Sequence, residues 1–591
     1  MTESMEDWRR THQCGILSVE NIGEDVVVMG WVQKHRHHGG VLFVDLRDRS
    51  GLVQVVFNPD IADDVFARAE ELRAEYVVAV EGKVRKRPEG TINETISTGR
   101  IEIVARDIKI LNQSKTPVIQ VTDYLDAGEE LRLKYRYLDL RRPVMQKIIH
   151  MRHQIMKTTR DYLEEEDFWE IETPILTRST PEGARDYLVP SRISPGHFFA
   201  LPQSPQIFKQ LLMAGGMERY YQIARCFRDE DLRANRQPEF TQIDIEMSFI
   251  TRKEIMELTE KLMQHIFALI DVEVAPEFPV ISYQEAIDKY GTDKPDLRFE
   301  MKLTDLSQLV SESEFRVFSQ TIEKGGQVKG IRVKNGARLS RSQIDGYTEY
   351  VKQFGAKGLA WMILNGDEIK SPIIKFFNQE EIDNIVEKMQ AQPGDLLFFI
   401  ADKPEVVATS LGNLRLKLAK DLDLIPENEY KFVWIVDFPL FEYDEQEDRY
   451  VSKHHPFTSP LKTDISRLDE NPDQVRADAY DLVLNGEELG GGSIRINNRK
   501  LQEKVFSVLK IEHEEAVDKF GFLLEALDYG VPPHGGIAFG MDRLVMIVTG
   551  TDSIRDVIAF PKTQRATSPL TRAPTRVTDR QLSELKLKVI D

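Results

Sequence analysis

Apolar and polar side chains alternate most sharply from Phe240 to Phe249. Phe240, Gln242, Asp244, Glu246 and Ser248 fall on one face of an extended chain, and Thr241, Ile243, Ile245, Met247 and Phe249 on the other. The second reads as a core face. The first puts a row of polar groups, headed by one aromatic ring, on a sheet backed by that core. Upstream, Ala224, Cys226, Arg228 and Glu230 share one face of a second extended run, so Arg228 and Glu230 are expected to point the same way. The polar residues 229–238 between the runs read as a long hairpin turn.

Short β-rich runs fill the N-terminal part: Val26 to Val32, Val41 to Leu46, Leu52 to Phe57, Tyr76 to Val84 and Ile101 to Ile110. A helical pattern over Ile61 to Arg73 separates the third from the fourth. Five strands with a helix in that place fit an OB-fold barrel, a common binder of single-stranded nucleic acid. Residues 113–140 read as a linker of mixed polarity. Helical spacing runs from Gln146 to Glu166, and a second short helix is expected over Ser204 to Met213, with Gln206, Lys209 and Gln210 on its polar face and Gly215 and Gly216 at its end. A block of alternating strands and helices at 298–427 is large enough for a core of its own. Near the C-terminus a strand ends at Gly540 and an apolar helix begins at once.

The 591-residue chain has room for three or four domains at roughly 150 residues each. Its net charge of −19 argues against wholesale electrostatic binding of nucleic acid, though not against local basic faces. Basic residues cluster at Lys34 to His38 and Lys83 to Arg87; alone, these are ordinary exposed loops. Two distant cysteines, an N-terminus without a signal-peptide run and no stretch near the roughly 18 apolar residues of a membrane span predict a cytoplasmic protein with no membrane partner.

The chemistry suggested by the residues is that of a nucleotide site. Arg228 can grip a phosphate bidentately and Phe240 can stack on a base. The plain alternative is a solvated hairpin whose charges pair with each other. Asp481 in one strand and Glu488 past the Asn485–Gly486 turn can hold Mg²⁺ near a triphosphate, directly or through water. Arg495, in a buried sheet, needs an anion: a substrate carboxylate, or a protein carboxylate in a structural salt bridge. Arg543 begins a helix, where the dipole already favours an anion. His454 and His455 lack further ligands at zinc spacing.

FRDE, RQPEF and TQIDIE together resemble motif 2 of class II aminoacyl-tRNA synthetases, in the wording of the bacterial aspartyl type. FWEIETPILT resembles motif 1, a helix and strand closed by Pro174, and GIAFGMDR resembles motif 3. The resemblance spans about residues 14 to 575. It implies an N-terminal OB-fold β-barrel for the anticodon (1–112), a linker (113–140), and a class II catalytic domain of antiparallel sheet flanked by helices in two parts (141–297 and 428–561). It further implies the inserted α/β domain of bacterial-type enzymes (298–427) and a C-terminal extension (562–591). The implied reaction is ATP-dependent formation of aspartyl-adenylate with Mg²⁺, then transfer of aspartate to tRNA-Asp by a homodimer. ATP-binding residues carried over are Arg228, Asp229, Glu230, Gln237, Phe240, Glu488, Gly540, Met541, Asp542 and Arg543, with Arg228, Arg543 and Glu488 catalytic and Asp481 and Glu488 on the metal.

Glu182 and Asp244 would take the substrate ammonium, helped by Ser204 and Gln206. Arg495, Lys209 and His454 would take its side-chain carboxylate, with Ile207, Phe208 and Arg228 lining the same pocket. Arg36, Phe43 and Gln54 would meet anticodon bases. His38 and the facing Gly90 resemble the relaxed type that also charges tRNA-Asn. Rival readings are an asparaginyl- or lysyl-tRNA synthetase of the same subclass, and a catalytically dead tRNA-binding paralogue.

Overall fold

The computed structural model describes residues 2–180, 183–230, 236–366 and 368–590. The chain forms two compact units, one of residues 1–154, 230–238 and 545–591, the other of 155–229 and 239–544.

In the first unit the strands Asp25–His38, Val41–Asp48, Gly51–Phe57, Ile101–Asn112 and Val77–Lys86 close, in that order, into a barrel. Alternate residues such as Val26, Val28, Leu42, Val44, Val55 and Ile103 fill it. The helix Asp63–Glu70 packs Val65 and Ala69 on that core. The expected linker is less open than its composition suggested. It holds two short helices, Glu129–Lys134 and Arg136–Asp139. Buried Asp139 gathers Arg132, Arg136 and Arg142, and Arg136 donates on to the main-chain carbonyls of Arg555, Ile558 and Ala559.

The second unit is built on an eight-stranded sheet. Its order is Val280–Ser282, Phe432–Val436, Ala479–Leu484, Glu487–Ile494, His534–Gly540, Glu239–Ser248, Arg219–Phe227 and Trp169–Glu170. Pairing is antiparallel except at the two edges. The expected motif 1 strand is short, covering Trp169–Glu170 alone, behind the helix Pro143–Glu165. In the hairpin, Phe240 pairs with Cys226 and Asp244 with Gln222.

Two expectations change. Both faces of the strand are buried from Ile243 to Ser248, so that end of the polar row lies inside the protein, with Asp244 and Glu246 fully enclosed, while Phe240 and Gln242 are half-buried. Phe249 leaves the core face: it is 68% exposed at φ 60°, because the chain turns there and its N–H donates to Pro533 O at 2.6 Å.

Residues 303–421 add a separate five-stranded sheet, in the order Leu303–Asp305, Gln327–Val333, Leu396–Asp402, Ala360–Asn365 and Glu368–Lys370. Helices Arg341–Lys352 and Pro404–Asp421 cover one face, and Arg316–Glu323 and Gln379–Lys388 the other, each over its own apolar cluster.

Candidate active site

One helix and two strands bring four buried charges together. The helix Gln206–Ala214 supplies Lys209, the strand Glu239–Ser248 supplies Asp244 and Glu246, and Arg495 follows the strand Glu487–Ile494. Lys209 Nζ lies 2.7 Å from Asp244 Oδ1 and 3.1 Å from Glu246 Oε2. Arg495 Nε and Nη2 donate to the two Glu246 oxygens at 2.9 and 3.1 Å, and its Nη1 donates to Ser493 Oγ at 2.7 Å. Two cations and two carboxylates thus balance inside the sheet, as buried ions must. Burial raises the Asp244 carboxyl above the ordinary range, and Lys209 only partly offsets it. At Glu246 burial also pushes upward, but Arg495 and Lys209 prevail and hold it down at about 2.

Arg495 and Lys209 thus have a protein carboxylate as partner, the structural salt bridge that the sequence left open beside a substrate carboxylate. Glu246, which had no assigned role, supplies their anion across 249 positions of sequence. Of the five guanidinium N–H groups of Arg495, three are used, leaving two for a ligand. Asp244 Oδ2 and Gln206 Nε2 are buried with no hydrogen-bond partner among the described residues. An enclosed carboxylate oxygen without a donor fits an incoming ammonium.

The histidine pair divides differently from expectation. His454 Nε2 lies 3.7 Å from Asp481 Oδ2, and although burial lowers its basicity, Asp481 raises it above the ordinary value. It is His455 whose ring feels Arg495 and Lys209: burial first, then those two charges, push it down to about 3. Neutral His455 accepts from Phe457 N–H at Nδ1 (3.2 Å), so Nε2 carries the proton, buried and without an acceptor among the described residues. Sequence reasoning missed His455 as a donor because nothing local distinguishes it from its neighbour. Ile207 packs in the apolar cluster with Phe457 and Phe520 and also lines a small pocket beside Ser204 and Phe208. Ser204 Oγ accepts from Gln206 N–H at 3.3 Å. Phe208 is half-buried beside it. Glu182 lies outside the described residues.

On the nucleotide side, the Arg228 guanidinium sits 5.1 Å from the Phe240 ring centroid, and its Nε is buried with no partner among the described residues. Asp229 pairs loosely with Arg185, at 3.8 Å. Arg543, in the first turn of Met541–Thr549, donates to Glu488 O, and its Nε too lacks a partner among the described residues. Met541 is fully buried, and the Asp542 carboxylate accepts from Thr241 N–H at 2.9 Å. Gly540 is therefore the member of that junction with nothing but backbone to offer.

The two expected metal carboxylates suit a cation. Burial, then Asp481, raises the Glu488 carboxyl, and Asp481 Oδ1 is buried with no partner among the described residues. A Cβ on Gly491 would come within 2.4 Å of that oxygen, so the cradle requires glycine. Two carboxylates without further side-chain ligands match Mg²⁺, which keeps waters and substrate phosphates around it. No cluster of three or more His, Cys, Asp or Glu able to hold a metal occurs among the described residues.

Glu230 and Gln237 belong to the first unit. Glu230 pairs with Arg236 at 2.6 Å. Gln237 exchanges hydrogen bonds with the main chain of Lys562 at 2.8 and 3.0 Å. On the barrel, Arg36 reaches Asp45 at 3.0 Å and Gln54 at 2.7 Å. Gln54 donates to Glu102 at 2.7 Å, and Arg85 reaches the same carboxylate at 2.8 Å. Phe43 pairs with Arg36 in register and is half-buried beside this polar ladder. His38 is exposed at the end of its strand, and Gly90 sits at φ 84° with open space where a Cβ would stand. Asp45 and Glu102 were not foreseen, and Arg85 only as one of the Lys83–Arg87 cluster, since barrel closure alone sets them beside Gln54.

Comparison with known proteins gives two family matches: tRNA synthetases class II (D, K and N) over residues 128–564, and the OB-fold nucleic acid binding domain over 26–111. The Aspartate--tRNA(Asp/Asn) ligase of Halothermothrix orenii is 65% identical over 589 residues, covering all of both chains. That of Natranaerobius thermophilus is 57% identical, covering 98% of this chain and 99% of its own. Among solved structures, asparaginyl-tRNA synthetase from Pyrococcus horikoshii complexed with asparaginyl-adenylate superposes with a TM-score of 0.60 at 18% identity, covering 94% of this chain and 98% of its own. At that identity it shares the fold.

Proposed function

The chain belongs to the class II tRNA synthetases of the D, K and N group, and on that premise we propose that it is an aspartate–tRNA ligase that charges both tRNA-Asp and tRNA-Asn. The observation that carries the amino-acid assignment is the buried row Lys209–Asp244–Glu246–Arg495 with its spare valences. The aspartate ammonium meets Asp244 Oδ2, with Gln206 and Ser204 nearby. The side-chain carboxylate meets the two remaining N–H groups of Arg495 and the His455 Nε2–H. Asparagine presents an amide N–H₂ where these donors want an acceptor, so the site rejects it.

The α-carboxylate of bound aspartate attacks the α-phosphate of ATP, forming the mixed anhydride and releasing pyrophosphate. Arg228 neutralises charge on the α-phosphate, Phe240 stacks the base, and Arg543 holds the γ-phosphate. Asp481 and Glu488 would hold Mg²⁺, which would supply charge neutralisation for the triphosphate. The 3′-terminal ribose hydroxyl of tRNA then attacks the anhydride carbonyl and AMP leaves. Positioning and charge stabilisation carry both steps, with no protein nucleophile.

The barrel reads the anticodon through Arg36, Phe43 and Gln54. Relaxed tRNA choice is supported by the open surroundings of His38 and Gly90, and by the Asp/Asn naming of the relatives. A cytoplasmic homodimer is part of the proposal. Trp169 on the edge strand, and Ile175, Leu176, Leu188, Ile193 and Phe198 after it in sequence, are exposed apolar side chains that a second copy would cover, and no helix among the described residues is long and apolar enough to cross a membrane. The inserted domain, taken as 298–427, needs no part in the two steps.

The test is aspartylation of tRNA-Asp and tRNA-Asn transcripts side by side with labelled aspartate. Charging of both is expected. Charging of tRNA-Asp alone discards the reading of His38 and Gly90, and charging of neither overturns the assignment.

A further inference from the structure

A cleft of about 780 Å³ lies at the base of the inserted domain, where the chain passes into it at Phe299 to Asp305 and leaves it at Leu424. It is built from parts the aminoacylation site does not use. Its rim carries Lys289, Lys302, Arg332, Lys334 and Lys388 against only Glu300 and Asp305, in a chain of net charge −19. Lys289, Lys334 and Arg332 have carboxylate partners in Glu285, Glu300 and Asp395. Lys302 and Lys388 have no ion pair among the described residues and are exposed. The walls beneath are apolar: Phe299, Met301, Leu303 and Met389.

The wall is also strained and braced. Met301 sits at φ 91°, a conformation that a bulky side chain rarely adopts. Buried Arg415 holds it there. Its Nε donates to Met301 O at 3.0 Å and its Nη2 to Asp296 O and Phe299 O at 2.8 and 2.9 Å, while the guanidinium stacks 4.0 Å from the Phe299 ring. Strain fixed by several bonds is characteristic of ligand clamps.

We propose that this cleft binds a small polyphosphate with an apolar or aromatic body, of the nucleoside triphosphate class. The volume lies within the range of roughly 300–1,000 Å³ typical of small-molecule sites. Lys302 and Lys388, with the paired cations Lys289, Arg332 and Lys334 on the same rim, answer phosphate charges, and the apolar walls answer a base better than they would a polymer backbone crossing an open surface.

The experiment is isothermal titration calorimetry of the full-length protein with GTP and, separately, inorganic tripolyphosphate. The variant is Lys302→Glu/Lys388→Glu, and Lys357→Glu/Lys420→Glu is the control for general charge. Expected is saturable GTP binding, weakened about tenfold or more in the cleft variant and unchanged in the control, with tripolyphosphate binding more weakly than GTP. Aspartate-dependent pyrophosphate exchange should be unchanged in both variants, which keeps this result separate from the assignment of the catalytic site. Absence of saturable GTP binding overturns the proposal, as does equal binding by the cleft variant. Loss of tRNA affinity in the cleft variant without any GTP binding also overturns it, in favour of an RNA-contacting surface.

Discussion

Replacing Arg495 by leucine separates two roles that one side chain plays. Arg495 is 6% exposed and spends three N–H groups on Glu246 and Ser493. Its loss leaves Glu246 buried with Lys209, at 3.1 Å, as its one remaining ion-pair partner among the described residues. Breaking a buried pair in this way costs about 3–5 kcal/mol of stability. Aspartate loses the two spare donors, charge-assisted bonds worth about 1.5–3 kcal/mol each, so kcat/KM for aspartate should fall by about two to four powers of ten. The assay is aspartate-dependent ATP–pyrophosphate exchange, with ATP binding measured separately and expected to persist.

The double variant Glu246→Gln/Arg495→Leu removes the orphaned carboxylate. It should regain most of the lost stability and none of the activity. Acid sensitivity adds a check. Glu246 is held at about 2 against an ordinary 4.5, so its contribution to stability is complete above about 4.5 and is lost as pH falls from there to about 2. Urea denaturation across that window should show a flatter acid limb in the double variant. Near-normal exchange activity in Arg495→Leu would refute the reasoning, whatever the stability does.

Asp481→Asn should raise the Mg²⁺ concentration for half-maximal exchange about 10–100-fold; an unchanged requirement would remove Asp481 from the metal. In a histidine NMR titration, His455 should stay neutral through the physiological range, since its basicity is pushed down to about 3, while His454 titrates above the ordinary value. Exchanged behaviour would reverse their roles. Trp169→Asp with Ile193→Glu should shift sedimentation toward the monomer, and an unaltered coefficient would place the dimer contact elsewhere. Arg36→Ala should weaken tRNA binding by about 1–3 kcal/mol, measured by filter binding, with pyrophosphate exchange intact.

Much of this protein is written locally. The alternation from Phe240 to Ser248, the break after Gly540 and the five β-rich runs each follow from a period of two or 3.6 residues, which a short window of chain contains in full. The motif wording placed Arg228, Arg543, Asp481 and Lys209 as candidates for the same reason. Which groups pair is a different matter. Glu246 meets Arg495 because Glu239–Ser248 and Glu487–Ile494, far apart in sequence, flank the same strand His534–Gly540 in one sheet, and that register fills the valence the sequence left open for a substrate. Arg36 and Arg85 come from basic clusters nearly fifty positions apart, yet barrel closure joins them through Gln54 and Glu102. Periodicity tells a residue which face it occupies. Only the folded sheet decides what stands opposite, and for charges in a low-dielectric interior that neighbour sets ionisation and the bonds left over for a ligand.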